Sequence, residues 1–383
     1  MDFKLTEDQE MIRQMAQDFA EKKLAGSIME RDENHVFDRG LVNEMAEAGF
    51  FGICFPEEYG GLGLDVLSYI LAVEELSKID DGMGITLSAC VSLCATPIFM
   101  YGTEEQKQKY LRPICEGEKL GAFGLTEPSA GTDAAGQKTT AVLQGDHYLI
   151  NGSKIFITNG EEAETYVIFA MTDKSKGNHG ISAFIIEKGM EGFKFGKKES
   201  KMGGHTSITV ELVFEDLKVP KENLLGQEGE GFKIAMNTLD GGRIGVAAQA
   251  LGIAEGALGH AVKYSLEREQ FGKPIGYQQA MGFKMADMAM KTEAAKYLVY
   301  HAAFLKDQHE PYAKAAAMAK AFASDTAMNV TTEAVQVYGG YGYTVEYPVE
   351  RLMRNAKITQ IYEGTNEVQR MVIAGALLKE AKK

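Results

Sequence analysis

Apolar residues change their spacing twice along this chain of 383 residues. Over residues 11–20 they recur at helical intervals, with charged residues on the opposite face. After Leu120 the apolar runs are short, and Ser207 to Phe214 alternates with the period of two that is typical of a β-strand. From Gly231 the helical spacing returns in long, alanine-rich segments. This order predicts an α+β fold in which helices are followed by strands and then by helices again.

The change of pattern divides the chain into three parts. We expect, in order, an N-terminal all-α domain (residues 1–122), a middle β domain (residues 123–226) and a C-terminal α-helical domain (residues 227–383). The middle runs are separated by tight turns, and so they predict an antiparallel domain, built as a small barrel or a pair of sheets. The small residues of the C-terminal helices favour close packing, as in a four-helix bundle.

The composition argues against two classes of partner. The formal net charge is −14, whereas a nucleic-acid surface needs clustered Lys and Arg against the phosphates. The cysteines form no CxxC pair, and no His stands at zinc-ligand spacing from them, so neither a metal site nor a disulfide framework is expected. The cysteines are Cys54, Cys90, Cys94 and Cys115.

No targeting segment or membrane span is expected. Met1 to Glu7 leads directly into a helical pattern and lacks the features of a presequence. No apolar run is expected to be long enough to cross a membrane. Together with the reduced cysteines, these features predict a prokaryotic cytoplasmic protein.

One stretch near the C-terminus, Ile361 to Gln369, is a candidate for chemistry. Glu363 follows a tyrosine, precedes Gly364 and lies on a connection between two helical patterns. A loop carboxylate that an aromatic neighbour desolvates can act as a general base, and the glycine lets a substrate come close. A Glu in a polar loop is more often a solvated surface residue, and only the rest of the chain can decide between the two.

Five further stretches combine Gly, Thr, Ser, aromatic and charged residues. They are Phe123–Asp133, Lys154–Gly160, Asp240–Arg243, Glu267–Gln278 and Gln336–Tyr343. The first can offer free backbone N–H groups to a flavin edge and a pyrophosphate. Taken singly, the five are also explained by a turn, a strand end, a loop charge pair, the charged end of a helix and a helix C-cap.

The glycine pair Gly241-Gly242 is expected to separate two helices. Phe232 to Leu239 would form the first helix and Val246 to Ser265 the second. Glycine is a poor residue for a helix interior, and Asp240 to Arg243 would then lie in a connection.

In this order, the six stretches resemble the motifs of the acyl-CoA dehydrogenase family, and the resemblance covers the whole chain. It implies that Glu363 is the catalytic base. It implies substrate contacts at Thr132, Asp240, Arg243 and Gly364. It implies that FAD is bound by Phe123, Leu125, Thr126, Gly131, Thr132, Phe156, Ile157, Thr158, Arg268, Gln270, Phe271, Gln278, Gln336, Val337, Gly339, Gly340, Thr365, Asn366 and Glu367. Of these, Arg268, Gln270, Phe271, Gln336 and Gly340 would contact the FAD of a neighbouring subunit.

Three positions depart from the commonest family pattern or distinguish its branches. Thr132 stands where the family usually has Ser and keeps the hydroxyl. Phe156 stands where Trp is common, and this chain has no Trp. In the isovaleryl-type and long-chain branches the base precedes the arginine that matches Arg243; here that residue is Gly242, and the resemblance leaves Glu363 as the base.

The resemblance is closest to the short-chain, butyryl-CoA-type enzymes of anaerobic bacteria. It implies that Glu363 removes the α-proton of a saturated thioester while FAD takes the β-hydride, giving a trans-2-enoyl-CoA, or the reverse reaction. Electrons would be exchanged with an electron-transferring flavoprotein. Shared FAD sites would imply a homo-oligomer, typically a tetramer built as a dimer of dimers.

Other interpretations stay open at this point. The same chemistry could act on a medium or branched acyl chain, since the residues lining the acyl pocket cannot be assigned from sequence. A non-enzymatic flavin-binding relative would be favoured by a basic C-terminal extension, which this chain lacks. A helical scaffold with relic motifs is disfavoured because Glu363 is retained. An oxidase that uses oxygen is disfavoured because such chains are usually longer than this one.

Overall fold

The computed structural model describes residues 4–382. Met1 to Phe3, on which the prediction about a presequence partly rests, lie outside the described residues. The N-terminal helices are α1 (Glu7–Phe19), α2 (Ile28–Glu33), α3 (Arg39–Glu47), α4 (Val66–Ile79), α5 (Asp81–Ser88), α6 (Thr96–Tyr101), α7 (Glu104–Gln106) and α8 (Arg112–Cys115). Their apolar faces pack into a core that continues into the C-terminal helices.

A π-helical segment, Ala89–Ala95, joins α5 to α6, so that Asp81 to Tyr101 forms one apolar helix. By length and composition this helix could cross a membrane, and the expectation that no apolar run is long enough was wrong. In the fold, however, 83% of its most apolar window is buried. Its hydrophobicity is therefore that of a helix in the core of a soluble protein.

The middle strands are β1 (Gly121–Gly124), β2 (Thr140–Gln144), β3 (His147–Thr158), β4 (Thr165–Met171), β5 (Ile181–Glu187), β6 (Phe193–Lys198), β7 (Thr209–Pro220) and β8 (Leu224–Leu225). In the described part of the chain they form one sheet in the order β6-β7-β3-β2-β4-β5-β8, with β1 paired to β4. Most pairs are antiparallel, as predicted. The β1–β4 and β2–β4 pairs are parallel.

Long helices follow the sheet. They are α9 (Gly231–Glu267), α10 (Gln279–Asp307), α11 (Ala313–Tyr338), α12 (Pro348–Thr359) and α13 (Asn366–Glu380), with a small hairpin of β9 (Glu269–Gln270) and β10 (Lys273–Pro274) between α9 and α10. Helix α9 packs against α4, α10, α11 and α12. This arrangement confirms the predicted order of helical, β and helical parts.

Helix α9 does not break at Gly241-Gly242, and the predicted separation into two helices was wrong. Both glycines are buried in the middle of the helix. A β-carbon on Gly241 would lie 2.8 Å from Lys306 Nζ. Tertiary packing thus overrides the low helix propensity of glycine, and the missing side chains let neighbouring groups approach the helix backbone.

A buried ion pair joins β3 to the loop that follows β1. Lys154 Nζ, fully excluded from solvent, donates to Glu127 Oε1 at 2.7 Å, to Gln137 Oε1 at 3.0 Å and to the Leu125 carbonyl at 3.2 Å. The Glu127 carboxylate also accepts from the backbone N–H groups of Lys138 and Thr139. Two of the predicted motifs, Phe123–Asp133 and Lys154–Gly160, are therefore fixed to each other.

We expect Lys154→Met to destabilise the fold by about 3–5 kcal/mol, because it leaves the Glu127 charge buried and unpaired. The double variant Lys154→Met with Glu127→Gln should recover part of this loss, since no unpaired charge remains. Thermal unfolding at neutral pH measures both effects. A double variant less stable than the single one would contradict this account of the pair.

Candidate active site

Glu363 lies in the loop between α12 and α13, as predicted, and its backbone is in the left-handed region. Its φ is 52°, and that of Gly364 is 89°. A left-handed Glu is strained, and the surrounding contacts must hold it in place. The amide of Gln369 donates to the carbonyls of Glu363, at 3.2 Å, and of Gly364, at 2.8 Å. Lys320 Nζ also donates to the Gly364 carbonyl, at 2.9 Å.

The surroundings of the Glu363 carboxyl disfavour its charge. Its Oε2 is buried and has no hydrogen-bond partner within the described residues. Burial raises the pKa of Glu363 to about 7, although the positive charges of Lys320 and Arg243 act to lower it. A carboxyl whose pKa lies near neutrality can both take and return a proton, which is the property of a general acid or base.

Helix α9 presents a glycine, Gly242, to Glu363. A β-carbon on Gly242 would lie 2.1 Å from Glu363 Oε2 and 2.7 Å from Leu93 Cδ2. One turn further on, a β-carbon on Gly245 would lie 2.3 Å from the Ser88 hydroxyl and 3.1 Å from the Tyr69 hydroxyl. The Glu363 carboxyl thus lies against the helix backbone at Gly242, where any larger residue would collide with it.

Two charged residues of α9 flank this glycine face. An Arg243 guanidinium N–H donates to the Asp240 carboxylate in a close ion pair. Burial raises the pKa of Asp240, and Arg243 Nε is buried without a partner in the described part of the chain. The Arg243 guanidinium therefore keeps one donor available for a ligand.

Next to the base, Tyr362 is fixed by its hydroxyl, which donates to the Gln249 side chain of α9. Gln249 in turn donates to the backbone carbonyl of Asp81, at 3.2 Å. Burial raises the pKa of Tyr362, so the ring stays neutral beside Glu363. This contact fixes the aromatic neighbour that the sequence had placed beside the base.

A β-bulge turns one predicted aromatic residue outward. The register between β3 and β7 shifts between Lys154 and Ile157, and Phe156 within the shift has a φ of 60°. Its ring is 59% exposed although both flanking side chains are more buried. Bulges often re-aim a side chain at a site, and an exposed apolar ring on a rigid strand suits a flat, apolar ligand.

The loop after β1 presents the other residues of the first motif. Gly131 and Thr132 are exposed, and Thr126 is half-buried, with its carbonyl accepting from Ile155 N at 2.8 Å. A β-carbon on Gly131 would meet no atom within 4 Å. Beyond the bulge, buried Asn159 donates to the carbonyls of Thr86 and Gly121. The loop and strand therefore form a stiff edge with free groups on its outer side.

A second group of predicted residues lies around the ends of α9 and α11. Phe271, in the turn between β9 and β10, is 95% exposed with a φ of 56°. The Arg268 guanidinium lies 5.6 Å from the centre of the Tyr341 ring. Also exposed are Gln270, Gln336, Gly339 and Gly340, whereas Gln278 is half-buried at the start of α10. A largely exposed surface of this kind suits a ligand held between this chain and another molecule.

A cavity of about 350 Å³ lies beside the loop between α12 and α13 that carries Glu363, here called the base loop after its predicted role. It is lined by Asp325, Lys357, Gln360, Ile361, Thr365, Asn366, Glu367 and Arg370. Thr365 caps α13 by accepting from Val368 N. Asn366 is buried, and its side chain donates to Ser324 Oγ and Asp325 Oδ1 while accepting from Lys320 Nζ.

Some predicted cofactor residues point into the core. The side chains concerned are those of Leu125, Ile157, Val337 and Asn366. Any ligand contact at these positions would come from backbone groups, because the side chains are used in packing or internal hydrogen bonds. The sequence pattern could not separate these residues from their exposed neighbours.

Comparison with known proteins agrees with this geometry. Family models described as the N-terminal, middle and C-terminal domains of acyl-CoA dehydrogenases match residues 6–118, 122–217 and 229–378. The chain belongs to the acyl-CoA dehydrogenase family.

Three relatives of this acyl-CoA dehydrogenase are informative. The short-chain specific acyl-CoA dehydrogenase of Megasphaera elsdenii is 64% identical over 99% of this chain and 100% of its own, and the structure of butyryl-CoA dehydrogenase from that organism superposes with a TM-score of 0.98. A chain from a structure described as the electron transferring flavoprotein of Acidaminococcus fermentans is 76% identical, with a TM-score of 0.98, over 99% of this chain and 100% of that one. An acyl-CoA dehydrogenase from Bacillus anthracis, complexed with FAD, is 38% identical with a TM-score of 0.93, over 99% of this chain and 69% of that one.

Two residues at the base loop were missed by the sequence interpretation. Lys320, on α11, and Gln369, on α13, both donate to the Gly364 carbonyl. Gln369 falls at the edge of the predicted motif, but nothing marked it as a clamp. Lys320 carries only the weak signal of a lysine in an alanine-rich helix, which is usually a solvated residue.

We expect Glu363→Gln to stabilise this acyl-CoA dehydrogenase at alkaline pH and to change little in acid. The folded pKa of about 7 exceeds the ordinary value of 4.5, so the folded state binds this proton more tightly than the unfolded state does. The stability due to the neutral carboxyl is complete below pH 4.5 and is lost as the pH rises through 7. The ionised carboxylate then costs the folded state up to about 3 kcal/mol, and the neutral variant avoids this cost.

Calorimetric melting at about pH 5 and about pH 8.5 tests this expectation. Exposed Glu191, changed to Gln, serves as the control and should shift neither melting temperature by much. An equal gain for Glu363→Gln at both pH values would show that packing, and not the buried charge, causes the effect.

Proposed function

We propose that this chain is an FAD-dependent short-chain acyl-CoA dehydrogenase that interconverts butyryl-CoA and crotonyl-CoA. Family membership and 64% identity to a short-chain enzyme over nearly the whole chain support the reaction class and the acyl length. The observation that carries the proposal is Glu363: a strained, half-buried residue whose Oε2 is buried without a hydrogen-bond partner in the described chain and lies against Gly242 of α9.

The residues present fit FAD. Exposed Phe156 and Phe271 offer apolar rings, and β-carbons on Gly131, Gly339 and Gly340 would meet open space, so that a ligand can approach the backbone there. The cavity beside Thr365 and Glu367 has polar and charged walls suited to a nucleotide. Phe123, Leu125, Thr126, Thr132, Ile157, Thr158, Arg268, Gln270, Gln278, Gln336, Val337 and Asn366 would complete the binding surfaces, in part through their backbones. When bound, FAD supplies the acceptor for the β-hydride.

Glu363 removes the α-proton of the acyl group in the forward direction and returns it in reverse. The thioester oxygen gains negative charge as this proton leaves, and donors placed at that oxygen lower the barrier. The Glu363 backbone N–H donates to no acceptor among residues 4–382 and is free for this role. The adjacent Gly364 leaves room for the thioester, and Asp240 and Arg243 bind the substrate near the entrance, with Thr132 as a further contact.

Further features follow from the same proposal. An electron-transferring flavoprotein exchanges electrons with the bound cofactor, and the identity to a chain in a structure of that kind supports this partner. The cofactor surface around Phe271 faces outward, as a tetramer with FAD sites between subunits requires. We also propose domain boundaries at residues 122/123 and 226/227. We propose that the protein is located in the prokaryotic cytoplasm.

Anaerobic titration with butyryl-CoA tests the proposal. Wild-type protein should be yellow as purified, because it binds flavin. It should lose its visible flavin band when butyryl-CoA is added, because the proton and hydride can both leave the substrate. Glu363→Gln should bind flavin and substrate and stay oxidised, since a neutral amide cannot accept the proton.

Other results of this titration are equally informative. Bleaching by octanoyl-CoA without bleaching by butyryl-CoA would keep the mechanism and overturn the acyl length. A colourless protein would overturn the proposed function, because it would bind no flavin, and equal bleaching of the variant would overturn the role of Glu363.

We also expect Gly242→Ala to slow flavin reduction by about tenfold or more, because the new methyl group displaces the Glu363 carboxylate from its position. Gly259→Ala on the same helix is the matched control. It gains the same helix propensity, but a β-carbon at Gly259 meets no atom within 4 Å. The ratio of the flavin-reduction rates of the two variants therefore measures the effect of the contact with Glu363, separately from the change in helix propensity. Equal rates would mean that the carboxylate moves aside without loss.

A further inference from the structure

A lysine outside every motif of the sequence lies beneath the base loop. Lys320 is fully excluded from solvent, and its Nζ donates to the Gly364 carbonyl at 2.9 Å and to Asn366 Oδ1 at 3.1 Å. A buried ammonium group carries a large desolvation penalty unless it has a definite task or partner. Here both acceptors are neutral oxygens, and one of them belongs to the residue that directly follows Glu363.

We propose that Lys320 is a positioning residue for the base: it holds the left-handed Glu363–Gly364 turn, and its positive charge favours the ionised form of the Glu363 carboxyl. This inference rests on the proposed function, since it assigns Lys320 a role in the same proton transfer. It adds a residue and an electrostatic mechanism that the motifs did not contain.

The mechanical part of this role is shared with Gln369. The Gly364 carbonyl accepts from both Lys320 Nζ and Gln369 Nε2, and the Glu363 carbonyl accepts from Gln369 alone. Two donors on one carbonyl fix a turn that its own backbone preference would not maintain. Gln369 is neutral, so a substitution there removes hydrogen bonds to the turn without removing a charge. Substitutions at Gln369 and at Lys320 therefore distinguish the mechanical part of the role from the electrostatic part.

The electrostatic part falls mainly to Lys320. The charged groups that act on the Glu363 carboxyl are Lys320 from α11 and Arg243 from α9. The Arg243 charge is largely offset by its close ion pair with Asp240. Tyr69 from α4 and Tyr362 beside the base have pKa values raised by burial, and so both are neutral.

Lys320 itself is charged in the relevant pH range. Burial lowers its pKa to about 8, and Glu363 opposes this shift. At neutral pH the ammonium form prevails, and the carboxylates of Asp325 and Glu367 also act to raise its pKa. Lys320 is therefore the cation near Glu363 whose charge is not cancelled by a direct ion pair.

The test is the pH dependence of flavin reduction by butyryl-CoA in the FAD-loaded protein. Removing the charge in Lys320→Met should raise the apparent pKa of the base by about one unit. The rate should fall about tenfold at a pH below the wild-type pKa and come closer to wild type as the pH rises. Gln369→Met removes hydrogen bonds to the turn but no charge. It should lower the rate by the same factor at every pH.

A second readout does not depend on turnover. The melting temperature of wild-type protein should fall as Glu363 ionises, and in Lys320→Met this fall should begin at higher pH. FAD retention and butyryl-CoA affinity are measured beside it. An unchanged apparent pKa in a variant that retains FAD would make Lys320 purely structural and would overturn the inference.

Two more variants keep the test decisive if Lys320→Met fails to fold. Lys320→Gln is neutral and polar, can still donate a hydrogen bond, and should show the same shift. Lys320→Arg keeps the charge and should keep the wild-type apparent pKa; a shift there would overturn the inference. Wild-type protein that butyryl-CoA does not bleach would instead overturn the proposed function, whereas bleaching with no shift in the neutral variants overturns only the role of Lys320.

Discussion

The carboxyl of Glu363, whose Oε2 is buried against a helix that has no side chain there, is the constraint on which the rest of the structure depends. A carboxyl in water would have its ordinary pKa and would be a weak base for an α-proton. Burial raises the pKa of Glu363 to about 7, and protein encloses its Oε2 without a hydrogen-bond partner in the described chain. The unbroken helix α9 supplies that enclosure, because Gly242 brings backbone where other residues would bring side chains.

Strained backbone conformations occur within the predicted motifs, and contacts from other segments stabilise them. Phe156, Phe271 and Glu363 are among the few non-glycine residues with positive φ in the described chain. Each lies in a different motif and on an irregular segment: a bulge, a hairpin turn and a loop between helices. Such conformations persist only when the surroundings fix them. The Lys154–Glu127 pair fixes the segments around Phe156, while Lys320 and Gln369 fix the turn at Glu363. These buried polar contacts therefore fix the conformation of the motifs that carry the strained residues.

The sequence predicted the order of helical, β and helical parts and the loop position of Glu363. These depend on local patterns: apolar periodicity, turn residues and caps. It could not predict that α9 continues through Gly241-Gly242, because glycine lowers helix propensity locally and the compensation comes from distant contacts. For the same reason it grouped Ile157, Val337 and Asn366 with exposed neighbours, and it passed over Lys320. Burial and hydrogen bonding of single side chains are decided in three dimensions.

The contact between Gly242 and Glu363 also bears on the proposed role of Glu363, because it leaves room for a carboxyl on only one of two segments. A side chain at position 242 would start 2.1 Å from the Glu363 oxygen, so a carboxylate on α9 and one on the loop would compete for the same space. Two carboxylates there would also repel each other and push one pKa far upward, which would leave one of them protonated. The requirement is thus a single carboxyl at one point beside the substrate, and either segment can reach that point. On the proposal that Glu363 is the base, the glycine at position 242 leaves that role to the loop between α12 and α13.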